Sequence, residues 1–180
     1  MSGIKNILKN KVFRVCALLI IVLFPFTSQY RFVKTVGPSM QPTLKDGEWV
    51  VIERKSFLGK DWSPRRFHNV VIENDHENLS KRIIGLPGDI IEIKEGLIYL
   101  NERKLQDPFG RGKIGFYLVD ENDSNLRYWS GPKAGEVIFE LLDQNAEKVP
   151  EGHVWVIGDN RTDSWFGMLP IKNIVGKVLY

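Results

Sequence analysis

The stretch Lys81-Arg82-Ile83-Ile84-Gly85-Leu86-Pro87-Gly88-Asp89-Ile90-Ile91-Glu92-Ile93-Lys94-Glu95-Gly96-Leu97-Ile98-Tyr99-Leu100 is a run of β-branched and apolar residues cut twice by turn formers. Pro87-Gly88 marks one turn, and Glu95-Gly96 joins two short apolar runs, Ile90 to Lys94 and Leu97 to Leu100, as a hairpin. Side chains alternate along a strand, so Lys81 and Ile83 share a face while Arg82 takes the other. Outward from this stretch, Glu48 to Glu53, Asn69 to Ile72, Val137 to Leu142, His153 to Ile157 and Ile174 to Leu179 also read as strands. No long amphipathic helix is legible beyond residue 35. The expected fold is all-β, an antiparallel sheet closing barrel-like around a small core.

Residues 102–150 are more polar, and Asp120-Glu121-Asn122-Asp123-Ser124-Asn125 and Gly131-Pro132 interrupt the strand pattern. They read as an inserted β-rich lobe of hairpins and loops. The expected organisation is a basic tail over 1–11, a transmembrane anchor over 12–30, a catalytic body over 31–101, the lobe over 102–150 and a closing part of the body over 151–180.

The anchor rests on Val15 to Tyr30, an uncharged run containing Leu18-Leu19-Ile20-Ile21-Val22-Leu23-Phe24. As a helix these residues fall somewhat short of a ~30 Å hydrocarbon core, and Arg14 and Arg31 can lengthen the span by burying their stems. Four basic residues precede the run and two follow closely, a bias that places the N-terminus in the cytoplasm and the body outside. Phe26-Thr27-Ser28-Gln29 offers no small-x-small cleavage site, which argues against a removable leader. Pro25 is expected to bend or end the helix near its outer face.

Charge narrows the partners. Residues 1–34 hold six basic residues and no acid, leaving 19 of the 25 basic residues of the 180-residue chain against all 22 acidic ones. A body of net charge −3 argues against nucleic acid, whose phosphates need clustered cations. Cys16, in the apolar run, is the only cysteine, which excludes an intrachain disulfide. His68, His76 and His153 have no metal-ligand spacing, so no metal is expected and a base for hydrolysis is sought elsewhere.

That search leads to Ser39, in Gly37-Pro38-Ser39-Met40-Gln41-Pro42-Thr43, and to Lys81. A serine hydroxyl becomes a nucleophile when a neighbouring base takes its proton, and an uncharged lysine amine can do so. A free lysine near pKa ~10.4 is protonated at neutral pH, so burial must lower it by ~2 to 3 units. Leu79, Ile83 and Ile84 beside Lys81 supply apolar neighbours. Read alone, Ser39 is a turn residue and Lys81 a solvated charge. Ser39 lies only eight residues beyond Arg31, which brings it close to the membrane surface.

Together with Leu44-Lys45-Asp46-Gly47-Glu48, the hairpin up to Asn101, and Gly158-Asp159-Asn160-Arg161 with Gly167 and Pro170, these segments resemble the type I signal peptidase family of membrane-anchored Ser/Lys endopeptidases. The resemblance implies a bacterial cytoplasmic-membrane protein, acting without a cofactor and as a monomer, whose partners are membrane lipid and exported precursors carrying signal peptides. It implies that Ser39 attacks the peptide carbonyl, that Lys81 takes its proton, and that an acyl-enzyme is hydrolysed by water. It implies an oxyanion hole formed by the Ser39 NH and a donor two residues earlier. That position is Gly37, where only a backbone NH can serve. Met40 is grouped with the supporting residues, Ser164 is expected to bond the lysine amine, and Asp159 to pair with Arg82.

The chain departs from the family pattern at Trp165-Phe166-Gly167, where Asp-x-Arg usually stands, and at His68-Asn69. A gapped alignment can place Asp163-Ser164 on the later Asp-Ser of the pattern, leaving the role of Ser164 open. These departures suggest a specialised relative, such as a peptidase of conjugative pilus systems, beside a housekeeping enzyme. Two readings from other classes are a self-cleaving Ser/Lys repressor, disfavoured by the apolar N-terminus and acidic body, and a catalytically silent membrane-held β scaffold.

Overall fold

The computed structural model describes residues 11–58, 62–73, 78–118, 127–128 and 138–179. The basic tail up to residue 10, the acidic run 120–125 and Gly131-Pro132 lie outside the described residues. Lys11–Gln29 forms a 19-residue helix, α1. It continues past Pro25 to Gln29 instead of ending there, and passes without a linker into strand β1, Tyr30–Lys34. At ~1.5 Å per residue it is about 28 Å long. Among the described residues no helix is long and apolar enough to cross a membrane.

The remaining strands are β2 Trp49–Arg54, β3 Asn69–Glu73, β4 Asn78–Gly85, β5 Ile90–Lys94, β6 Leu97–Leu100, β7 Arg103–Lys104, β8 Gly115–Leu118, β9 Arg127–Tyr128, β10 Ile138–Leu141, β11 Gln144–Lys148, β12 His153–Ile157, β13 Phe166–Pro170 and β14 Ile174–Leu179. Among the described residues they form three sheets whose strand pairings are all antiparallel. The largest has the order β1-β2-β14-β3-β4-β12-β13. A second has the order β11-β5-β6-β7 and a third β10-β8-β9.

The second sheet crosses the boundary expected at residue 101. The hairpin β5-β6 pairs with β7 and β11, both from the 102–150 segment, so that segment is partly woven into the body. The join is hydrophobic: Ile91, Ile93 and Ile98 of the hairpin share one cluster with Ile114, Val149, Trp155 and Ile157.

Strand alternation divides the core. On β12, Val154 and Val156 enter a cluster with Val70, Ile72, Ile83 and Ile174, while Trp155 and Ile157 enter the hairpin cluster. On β4, Ile83 faces the first group and Ile84 the second. Both faces of β4 are covered, so Lys81, Arg82, Ile83 and Ile84 are all buried. A third cluster, Val33, Met40, Leu44, Val50, Ile52, Val71 and Val178, lies under the loop that carries Ser39.

Candidate active site

Ser39 sits in the turn between β1 and β2, and two elements hold it. From below, Met40 and Leu44 bury their side chains in the third core cluster, so the loop is pinned by hydrophobic contact. From the side, the Asn160 NH donates to the Ser39 carbonyl at 3.0 Å. Gly158 passes so close that a Cβ there would collide with the Ser39 carbonyl oxygen and stand 2.5 Å from Ser164 Oγ. Only glycine fits that approach.

Lys81 reaches the same point from β4. Its Nζ lies 2.8 Å from Ser39 Oγ and 3.2 Å from Ser164 Oγ, with the residue 3% exposed. Burial lowers its pKa to about 8, against the opposing pull of Asp163 and Asp159. Ser164 sets the polarity of the contact. Its hydroxyl donates to the Trp165 carbonyl at 2.8 Å and accepts from the Gly158 NH at 2.7 Å. Its remaining capacity is as an acceptor, so a neutral Lys81 donates one N–H to Ser164 and keeps its lone pair for the Ser39 proton.

Arg82, on the other face of β4, makes a bidentate pair with Asp159: Nε to Oδ1 and Nη2 to Oδ2, both 2.6 Å. Its Nη1 donates to the Phe67 carbonyl at 2.7 Å, and the Phe109 ring centroid lies 3.7 Å from its Cζ. Thr43 Oγ1 donates to Asp159 Oδ2 at 2.5 Å. A single carboxylate thus ties the nucleophile loop, β4 and the segment after β12 together. The sequence alone assigns no role to Thr43, although it lies in the Ser39 motif. Phe109 carried no signal, because nothing in Asp107-Pro108-Phe109-Gly110 beyond a turn composition tells where the turn packs.

Gly37 has φ +81°, the left-handed region that suits glycine. Its NH does not face the dyad openly; it donates to Asp46 Oδ1 at 2.9 Å. Among the described residues no group of three or more His, Cys, Asp or Glu side chains is placed to hold a metal ion.

The chain that carries this Ser/Lys contact has relatives among known proteins. The profile of the family described as signal peptidase, peptidase S26, matches residues 5–180. The chain belongs to that family. A signal peptidase I of Bacillus caldolyticus is 34% identical over 170 residues, which cover 91% of this chain and 83% of the relative. Signal peptidase I V of Bacillus subtilis (strain 168) is 33% identical over 154 residues, 81% of each chain. Signal peptidase IB of Staphylococcus aureus (strain Mu50 / ATCC 700699) is 32% identical over 158 residues, 80% of this chain and 73% of the relative. The protein is a signal peptidase I, a serine endopeptidase that removes signal peptides from secreted precursors. The repressor and silent-scaffold readings therefore fall away.

Proposed function

We propose that this signal peptidase cleaves with Ser39 as nucleophile and Lys81 as general base, held at the membrane surface by α1. The 2.8 Å contact between Lys81 Nζ and Ser39 Oγ, made by a lysine only 3% exposed, carries the reading. Neutral Lys81 takes the Ser39 proton as Oγ adds to the scissile carbonyl. The tetrahedral oxyanion is received by the Ser39 NH, joined by the Gly37 NH when it turns from Asp46. Such donors each contribute about 3 to 4 kcal/mol in comparable sites. As the intermediate collapses, protonated Lys81 gives its proton to the leaving amine, and Ser39 is left as an ester. Water, deprotonated by Lys81, then attacks the ester and releases the signal peptide with a free carboxylate. Ser164 fixes the lysine amine, while Arg82 and Asp159 fix the elements beneath it.

Anchoring is supported by three features at one end of the molecule. The uncharged run of α1 leads directly into β1. The register of β1 and β2 then places Phe32, Trp49 and Val51 on one face, with Phe32 69% and Trp49 66% exposed. Val36, also exposed, follows on the way to Ser39. An apolar rim of this kind suits an interface beside a lipid surface.

The test is cleavage of an exported precursor by detergent-solubilised enzyme, with the new N-terminus read by mass spectrometry. Ser39→Ala and Lys81→Ala are expected to lower turnover at least ~10³-fold while the unfolding transition persists. Near-normal turnover in either variant overturns the dyad. For anchoring, the full chain is expected to float with liposomes after alkaline carbonate washing, and recovery in the soluble fraction overturns it.

A further inference from the structure

Trp165 stands one residue past Ser164, whose Oγ lies 3.2 Å from Lys81 Nζ, yet its side chain is left 44% exposed. The register of the main sheet sets its distance from the dyad. Ile157 on β12 lies opposite Arg82 of β4 on one side and Phe166 of β13 on the other. Continuing that antiparallel register by one residue puts Lys81, Gly158 and Trp165 in one row. Directly opposite residues share a face, with Cα atoms ~4.5 to 5.5 Å apart, so Trp165 stands about 10 Å from Lys81 on the dyad's side of the sheet. Its ring leans along β13 over Gly167, where a Cβ would stand 3.9 Å from Trp165 Cζ2.

Trp165 and Phe166 wall a pocket of about 370 Å³ together with Leu142, Asp143 and Gln144. Residues from opposite faces of β13 can line one space because, among the described residues, this strand ends the sheet. The walls are held in place before anything binds. Phe166 packs on Trp155 with ring centroids 5.4 Å apart, the Leu142 NH donates to the Ile114 carbonyl at 3.0 Å, and Asp143 Oδ1 accepts from the Glu95 NH at 2.6 Å. Apolar walls beside an exposed carboxylate favour an apolar side chain and repel an acidic one.

The order of the main sheet decides which half of a precursor reaches this pocket. Strands β1 and β2, with α1 and the exposed Phe32 and Trp49, form one edge, and β13 forms the other. The apolar middle of a signal peptide belongs at the anchored edge, so the chain downstream of the cut runs toward β13. An extended chain advances ~3.3 Å per residue, and about three residues cover the distance from the dyad to Trp165. We propose that the pocket receives the side chain of the third or fourth residue of the mature chain and selects an apolar one. This rests on the Ser39–Lys81 reading for the place of the cut, and it adds a contact on the far side of the scissile bond.

The test is a panel of precursors that differ only in where a single leucine stands within an otherwise all-alanine start of the mature chain, cleaved by the full chain in detergent. In the wild type, kcat/KM should peak with leucine at the third or fourth residue, about 10-fold above the all-alanine precursor. Aspartate at the same place should fall below alanine. Trp165→Ala and Leu142→Ala should each bring the leucine-to-alanine ratio to within about 2-fold of unity. A substitution that merely loosens the fold lowers both rates and leaves the ratio standing, and that outcome overturns the pocket. So does a wild type that cleaves the whole panel with no peak, or with its peak elsewhere. Cleavage surviving in Ser39→Ala strikes at the dyad instead, so the two failures are told apart.

Discussion

Lys81 is the residue on which acid–base behaviour turns. Its pKa of about 8 lies below the ordinary 10.5, so precursor cleavage should rise with pH and reach half its maximum near pH 8. A profile flat from neutral to alkaline pH would remove Lys81 from the role of base. The same shift has a consequence for stability. Between about 8 and 10.5 the unfolded chain binds more protons at this site than the folded one, so folding gains stability as pH rises through that window. Below it, the folded state carries the cost of a buried ammonium. Lys81→Met should therefore abolish cleavage yet raise stability at pH 7 by about 2 kcal/mol, after allowance for the hydrogen bonds the two serines lose. Urea unfolding at pH 7 and pH 10 measures it, and the gain should shrink at the higher pH. Gly158→Ala acts in the opposite sense: its methyl must displace the Ser39 carbonyl, so activity should fall by at least ~10²-fold as the nucleophile moves by about an ångström. Ser39, Lys81 and Asp159 could be singled out as candidates because each stands in a dense local motif, while Ser164 stayed open between two alignments. The Asp46 bond to Gly37 and the close pass of Gly158 were not, because they depend on how two distant segments meet.

At the scale of elements, Asp159 joins three of them. Asp159→Ala leaves Arg82 charged and buried without its carboxylate partner, and should cost about 3 to 5 kcal/mol. Thr43→Val removes one hydrogen bond to a carboxylate and should cost about 1.5 to 3 kcal/mol. Chemical denaturation separates the two, and equal small losses would mean that the pair does not hold the elements together. The apolar strands β5, β6, β12 and β14 could be read from the sequence because burial on at least one face leaves a β-branched pattern. Strand β11, Gln144–Lys148, was missed because its polar side chains are largely exposed and it is recruited by backbone pairing to β5. Strand β1 was missed for a different reason: Tyr30–Lys34 follows the apolar run so closely that its alternation is hidden. Residues 102–150 were expected to form an inserted lobe of hairpins and loops, and their strands β7 and β11 pair with the β5-β6 hairpin in one sheet.

At the scale of the whole molecule, the order of the main sheet matters more than any one strand. Strands β1 and β2 flank the Ser39 loop, and β3 and β4 form the pair that carries Lys81. Between the two pairs lies β14, Ile174–Leu179, hydrogen-bonded to β2 on one side and β3 on the other. Removing residues 174–180 should eliminate cleavage, and adding the missing segment as a free peptide should restore part of it. A truncated chain with wild-type turnover would show that the two halves align without the splice. The position of β14 also divides the labour of holding the dyad. A chain lacking this strand keeps the Thr43–Asp159–Arg82 bonds between the Ser39 loop and β4 but loses the backbone ladder that spaces β2 from β3, so the distance between hydroxyl and amine would loosen while the clamp itself stayed closed.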